Sequence, residues 1–373
     1  MQNDNSVCFA AIISEIKPIE GADKIEQAVV SGWNCIVPKG VYKPGKLVIV
    51  ATTDAVIPKE LSDELKVTDY LRKGQRVRTV KLRGVYSECL IMDMIHANKI
   101  CKEGDDLMDI MGIYKYEPPA KMVQLASGKT VKYHENPNFH IYYKFPNAKN
   151  VPDMFSEGDE VEITRKIHGT NARYGIVKKS KISLWDRIKK LFGNRWAEYE
   201  FVVGSHNVEK GSDSQGYYDT NVWYDMAEKL KIKEKLWEIA KAGFFSLDEF
   251  GSGLTIYGEI YGAGIQKNYD YGLSAQEFVG FDVMLNGKYL NTVISEYVIS
   301  IRLGLKYVEV LYSGPYSKAE VDKHVYNNFV DGTKVPHEGV VVKHVSGDRH
   351  KVAKFINPEY LIFAEKHNVG DSH

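Results

Sequence analysis

Hydrophobic and polar positions change rhythm about a third of the way along the chain. Before that point the apolar runs are short and partly β-branched: Val7-Cys8-Phe9-Ala10-Ala11-Ile12-Ile13, Trp33-Asn34-Cys35-Ile36-Val37 and Leu47-Val48-Ile49-Val50. Turn chemistry separates them, at Gly21-Ala22-Asp23, Pro38-Lys39-Gly40 and Lys43-Pro44-Gly45. Short strands at this spacing predict a small β-barrel. Beyond it, apolar alternation such as Val161-Glu162-Ile163-Thr164 gives way to helical spacing and back again, the mark of mixed α and β structure.

Residues 1–115 are therefore read as a barrel domain, and an OB-type barrel is the version that commonly binds nucleic acid. Within it, Leu71 to Gly84 is strongly basic. Arg76 and Arg78 share one face of an extended strand, Lys81 and Arg83 the other, so a bulge near Thr79-Val80 would gather all four into a candidate RNA-contacting groove. A solvated strand face is the plainer alternative. Tyr86, Tyr133, Tyr142 and Tyr143 are candidate base stackers, although most of the 24 tyrosines must serve packing. Residues 116–155 carry prolines and aromatics without periodicity and are expected to form a linker that packs on both domains.

A second domain is expected over 156–373. Its strands are Glu160 to Lys166, Ala172 to Val177, Phe201 to Asn207, Leu254 to Ile260, Glu277 to Met284, Glu338 to Lys343 and Lys351 to Ile356. The basic segment Lys178 to Arg195 places Trp185, Ile188, Leu191 and Phe192 at helical spacing, which predicts an amphipathic helix lying over the site or RNA, or packed on its own domain. Val222, Met226 and Leu230, continued by Leu236 and Ala240, predict one long surface helix. Another helix is expected near 292–303, and a last one after Asn357-Pro358.

Composition changes this picture little. The chain of 373 residues is 44% hydrophobic and 26% charged, an ordinary globular balance. Lys+Arg and Asp+Glu both number 49, so any nucleic-acid site must be a local patch. Cys8, Cys35, Cys89 and Cys101 form no CxxC pair, which argues against a zinc knuckle or disulfide framework and for an intracellular setting. No apolar run reaches membrane-spanning length, so no membrane role is expected.

Charged residues stand at strand ends in a fixed order: Lys166-Ile167-His168-Gly169-Thr170-Asn171, Tyr257-Gly258-Glu259, Phe281-Asp282, Glu338-Gly339-Val340-Val341, and Lys351 with Lys354. Singly, each reads as a solvated strand end. Together they resemble the covalent nucleotidyltransferases, namely RNA ligases, DNA ligases and mRNA capping enzymes. Lys166 to Asn171, and Gly258 to Gly262 with Gln266-Lys267, are similar to RNA ligase 2 type enzymes. Pro18 to Lys24, Gly40 to Gly45 and Arg76 to Gly84 resemble the OB domain that precedes the catalytic domain in the fifth RNA-ligase family. The resemblance implies an α+β fold: an N-terminal OB-type barrel, then an ATP-grasp-like domain of antiparallel sheets flanked by helices.

It also implies an ATP-dependent ligation of RNA 3′-OH and 5′-phosphate ends, at nicks in duplex RNA, by a monomer using Mg²⁺ or Mn²⁺. Lys166 would attack ATP as a free amine, a form favoured by Lys343, Lys351, Lys354 and the metal. The resemblance gives Glu259 to the ribose and Phe281 to the adenine, with Val341 on its other face. Glu338 would hold the metal, Lys354 and Lys351 the α-phosphate, and Gly169 and Asn171 would meet phosphate or metal-bound water. His168 stands where the superfamily has Asp, and a neutral imidazole cannot replace a carboxylate around metal water; its expected role is to orient its neighbours. His206 stands where many ligases have Arg. Lys351 and Lys354, three residues apart, should point to opposite faces, which favours Lys354. The alternatives are an mRNA guanylyltransferase or DNA ligase, both of which usually carry an OB domain after the last motif, and a non-catalytic RNA-binding protein.

Overall fold

The computed structural model describes residues 6–72, 74–97, 99–116, 136–206, 209–210, 221–346, 348 and 351–369. The barrel strands are β1 (Cys8–Pro18), β2 (Ile25–Val30), β3 (Trp33–Pro38), β4 (Leu47–Thr52) and β5 (Cys89–Asp93). They form one antiparallel sheet in the order β3-β2-β1-β4-β5. β1 serves two neighbours: Cys8 to Ile12 pair with β4, and Ile13 to Pro18 with β2, across a register shift between Ile13 and Glu15. Such an irregularity bends the strand and tightens its twist. The sheet then curls until Glu88 N–H donates to the Asn34 carbonyl at 2.7 Å, nearly closing an OB-type barrel. β2 was not anticipated from the sequence, because Ile25-Glu26-Gln27 looks like the flank of a turn.

The predicted basic strand is a tight hairpin instead. Val80–Leu82 pairs with Val85–Ser87. The two residues between them, Arg83 (φ 49°) and Gly84 (φ 81°), both have positive φ, as a two-residue hairpin turn matched to strand twist requires. Tyr133 lies outside the described residues. Tyr142 is buried in an aromatic cluster with Tyr257, Phe281 and Tyr289, and Tyr143 packs beside it, so both work as packing residues.

The second part of the chain builds two facing antiparallel sheets from β6 (Glu160–Lys166), β7 (Thr170–Lys178), β8 (Tyr199–Gly204), β9 (Gly253–Gly262), β10 (Gln276–Leu285), β11 (Val310–Pro315), β12 (Gly339–His344) and β13 (Val352–Ile356). The smaller sheet runs β11-β6-β12-β13; the larger has β8-β7-β9-β10 at its centre and a two-residue strand at each edge. Strand parity divides each sheet. Val161, Ile163, Val340, Val342 and Ala353 pack beneath the small sheet, and Ala172, Tyr174, Ile176, Leu254, Ile256 and Val283 beneath the large one. The opposite faces carry the polar residues and look at each other.

Helices cover the outer sides. α1 (Leu184–Leu191) follows β7. The single long helix expected next is two, α2 (Val222–Lys229) and α3 (Ile232–Lys241), because Lys231 adopts a left-handed conformation (φ 53°). The step from Leu230 to Leu236 falls out of helical phase, and a break restores the apolar face through Ile232, Leu236, Ile239 and Ala240. α4 (Thr292–Glu296) continues in wider turns to Arg302. After α5 (Lys318–Val325), α6 (Pro358–Lys366) closes the description, with Asn357 accepting from Glu359 N–H and Pro358 in the first turn.

Candidate active site

Register places the key lysines. Thr164 of β6 stands opposite Val341 of β12, which stands opposite Lys354 of β13; two residues along, Lys166 faces Gly339. Cross-strand neighbours and residues two apart share a face, so Lys166, Val341, Lys343 and Lys354 all emerge on the inner side of the small sheet. Glu338, immediately before β12, sits 2.7 Å from the Lys166 ammonium through its Oε1.

The large sheet answers from across the cleft. Asn171 is paired with Glu259, and Gly169 lies at the turn into β7. Gly169 N–H donates to Glu259 Oε1 at 3.2 Å, and its carbonyl accepts from Gln266 Nε2 at 2.5 Å. A side chain at Gly169 would drive a Cβ to 2.2 Å from the Ile260 carbonyl, so only glycine fits this contact. Burial pushes the Glu259 carboxyl up to about 8, reinforced by the charge of Glu338; Lys166, the Gly169 N–H and the Asn171 side chain pull the other way. Without a bound cation, this favours the protonated form of Glu259 near pH 7.

Phe281 owes its position to a bulge. Tyr257 opposes Asp282 and Gly258 opposes Gly280, leaving Phe281 as the extra residue on β10. Phe281 and Asp282 both reach Tyr142 and Lys343. Lys343 is almost fully buried and donates to the Phe281 carbonyl at 2.7 Å and to Asp282 Oδ2 at 3.2 Å, and Tyr142 donates to the same carboxylate. Its charge is therefore partly spent on fixing the bulge. Lys354 is displaced below the usual lysine range by burial first and by Lys166 second, with Glu338 opposing.

Lys351 lies elsewhere. It forms a 2.8 Å ion pair with Asp159, apart from the Lys166, Glu338 and Glu259 cluster. The His168 ring sits in an aromatic nest, edge-on to Tyr269 and Tyr360, and the His168 backbone N–H donates to the Tyr271 hydroxyl at 2.6 Å. Its Nδ1 is 3.8 Å from Glu338 Oε2. Near His206, the Ser205 carbonyl accepts from Arg173 Nε at 2.9 Å.

The four basic barrel residues are not one open groove. Arg76 pairs with Asp54 (Nε to Oδ1, 2.7 Å) and covers the Tyr116 ring. Arg78 reaches Glu365 of α6 at 2.6 Å, and Lys81 reaches Glu359 of α6 at 3.3 Å, where the Tyr86 hydroxyl also donates at 2.8 Å. Arg83 alone of the four is on the exposed hairpin tip. The barrel also touches the electrostatics of the site, since Asp54 and Lys115 both act on Lys354.

Sequence reasoning gave Asp282 only a place in the Phe281-Asp282 motif and offered Tyr142 as a base stacker, whereas the two hold Lys343 and Phe281 in place. A lone aspartate in the apolar run Phe278 to Met284 was the available signal, because a buried charge needs a partner. Two oxygens stand out for a metal: Glu338 Oε2 and Asn171 Oδ1 are buried and lack hydrogen-bond partners. Among the described residues no group of three or more His, Cys, Asp or Glu could hold an ion by itself. Few protein oxygens, with water and phosphate completing the shell, is the pattern of Mg²⁺ rather than of zinc.

Comparison with known proteins is consistent with this construction. An RNA ligase family model matches residues 159–356, and an OB-fold domain model matches residues 9–94. No curated protein matches the sequence. Among solved structures, an apo mutant of Naegleria gruberi RNA ligase superposes with a TM-score of 0.69 at 23% identity, covering 99% of each chain. A lysine-to-alanine mutant of the same ligase, with ATP and Mn, matches with a TM-score of 0.69 at 23% identity over 97% of this chain and 99% of that one. At this identity the likeness speaks for the fold, across both domains.

Proposed function

This chain belongs to the RNA ligase family, and from that premise we propose that it joins RNA ends in an ATP-dependent reaction, through an AMP carried on Lys166. The observation that carries the reading is the convergence of Lys166, Glu338 and Lys354 from adjacent strands opposite Glu259 and Asn171. In the first step the Lys166 amine forms a bond to the α-phosphorus of ATP, and the bond to the β-phosphate breaks to release pyrophosphate. In the second, an oxygen of an RNA 5′-phosphate takes the AMP and frees the amine. In the third, a 3′-hydroxyl attacks that 5′-phosphorus and AMP leaves.

The residues divide the work. Lys354, at the neighbouring ladder position, is placed to offset charge growing on the α-phosphate, an effect strongest in a partly desolvated site. Glu259 is suited to hydrogen-bond a ribose hydroxyl, and Phe281, fixed by its bulge, to stack on adenine against Val341. Glu338 Oε2 and Asn171 Oδ1 would receive a divalent ion, directly or through its waters. Bound there, the ion supplies positive charge that favours the free amine and steadies the phosphate. A solved Naegleria ligase containing ATP and Mn supports ATP and a divalent ion as what this cleft would take. Lys351, committed to Asp159, is left out of phosphate binding.

The substrate we propose is a nick in duplex RNA with 3′-OH and 5′-phosphate ends. The test is direct. Incubation with α-labelled ATP and Mg²⁺ should give a label that survives denaturation and disappears in Lys166→Ala; a persisting label, or none in the native protein, overturns the reading. Labelling by GTP instead would indicate a capping enzyme. Sealing only when the 3′-OH strand is DNA would indicate a DNA ligase.

A further inference from the structure

The helix α1 is mounted the wrong way round for a helix that merely covers its own domain. At about 100° per residue, Leu184, Trp185, Ile188, Leu191 and the following Phe192 fall on one stripe roughly 120° wide. Asp186 and Lys190 stand opposite. In a surface helix the apolar stripe faces the core, but here the one buried residue of the helix is Asp186 on the polar side, with Lys190 beside it half-exposed. Asp186 is buried, takes the Lys179 ammonium at 2.8 Å and closes a capping box with Ser183; Lys190 reaches Glu198 at 2.6 Å. Most of the apolar stripe is left in water: Leu184 is 72% exposed, Trp185 71%, Leu191 85% and Phe192 88%, with Ile188 at its middle half-buried. Arg187 and Lys189, both exposed, border the stripe on its two sides.

We propose that this ridge docks on an anionic lipid surface, with α1 lying in the interface plane. Apolar side chains would enter the acyl boundary while the flanking cations meet phosphate-bearing headgroups, the arrangement of an interfacial helix. The ridge is convex, which suits a fluid layer that needs no preformed groove. A second copy of the chain fits poorly, since two such ridges would oppose Arg187 and Lys189 to their own kind. RNA would satisfy the cations but leave Leu184 and Leu191 in water. Cations also line the open grooves beside the helix, Lys178 and Arg195 on one flank and Lys189 and Lys241 on the other, although Glu198, Asp248 and Asp186 lie among them.

Position agrees with this use. α1 follows the Lys178 end of β7, whereas the active-site residues cluster at the Thr170 end, about 26 Å away at the usual rise per strand residue. Docking would leave the nucleotide cleft open to solution. The described residues contain no helix long and apolar enough to cross a membrane, and lying on a surface requires none.

Sedimentation of the full chain with vesicles tests the proposal. Vesicles of phosphatidylserine mixed with phosphatidylcholine should carry the protein down, and pure phosphatidylcholine should not. Leu191→Glu combined with Phe192→Glu should weaken vesicle binding by at least about tenfold, and Arg187→Glu with Lys189→Glu should abolish the preference for anionic lipid. All four positions are exposed, so labelling of Lys166 by ATP should persist in both variants and report an intact fold. Failure to bind anionic vesicles, equal binding to neutral ones, or binding unchanged in both variants would overturn the proposal. So would variants that lose RNA retention or self-association while vesicle binding stays intact.

Discussion

Glu259→Gln offers a sharp probe of the cleft, because it freezes the carboxyl in a neutral form of nearly the same shape. In the folded protein burial raises Glu259 to about 8, while in the unfolded chain it ionises in the ordinary range near 4.5. Folding therefore retains a proton that the unfolded chain has released at neutral pH. Stability from that proton is full below about pH 4.5 and is lost as pH rises through 8. Between pH 7 and pH 9 the protonated fraction of the folded state falls from about nine-tenths to one-tenth, which removes at most about 1.4 kcal/mol. For a domain of this size that corresponds to roughly 3 to 6 °C in Tm. Other titrating groups are shared by both proteins, so the quantity to measure is the difference between native and Gln variant in metal-free thermal melts across that range. The native protein should lose stability faster than the variant. Parallel curves would refute a neutral Glu259, and so would a variant that is already much less stable at pH 7.

Three further outcomes follow from the contacts. Lys354→Ala should lower the rate of ATP labelling by about 10²–10³-fold, whereas Lys351→Ala should leave it within a few-fold; single-turnover labelling separates them, and similar losses would contradict the assignment. Lys343→Met strands the Asp282 carboxylate in the interior and should cost about 3–5 kcal/mol in urea unfolding, while adding Asp282→Asn should recover much of that. A double-mutant cycle on Arg78 and Glu365 should give a coupling of about 0.5–1 kcal/mol that shrinks with added salt, as befits a half-exposed ion pair.

The class of the fold was legible in the sequence, but the pairing of its strands was not, and for a physical reason. Lys166, Glu259 and Glu338 each read singly as a solvated strand end, and it is the order of their motifs, a one-dimensional signal, that sets them apart. The pairing partners leave no such signal. Nothing local in Cys8 to Pro18 says that one strand will serve two neighbours, and nothing in Arg76 to Gly84 says that Arg78 and Lys81 will find Glu365 and Glu359, nearly three hundred residues away. The Arg83-Gly84 turn has one local mark, a glycine between β-prone residues, but arginine is not among the residues that favour the first position of such a turn. In α1 the spacing gave the helix but not its orientation, because periodicity marks a stripe without telling which side finds the core.

The ladder from Thr164 through Val341 to Lys354 has a consequence for how this enzyme can vary over time. Its charged groups keep their address by counting steps along paired strands. Deleting one residue inside β12 or β13 would turn every later side chain in that strand to the other face, sending Lys343 or Lys354 into the apolar layer. Such a lineage can exchange one side chain for another at a fixed step, but lengthening or shortening is confined to the connections. The spacing between Glu338 and Lys343 should be far less free to drift than the identity of the valines between them.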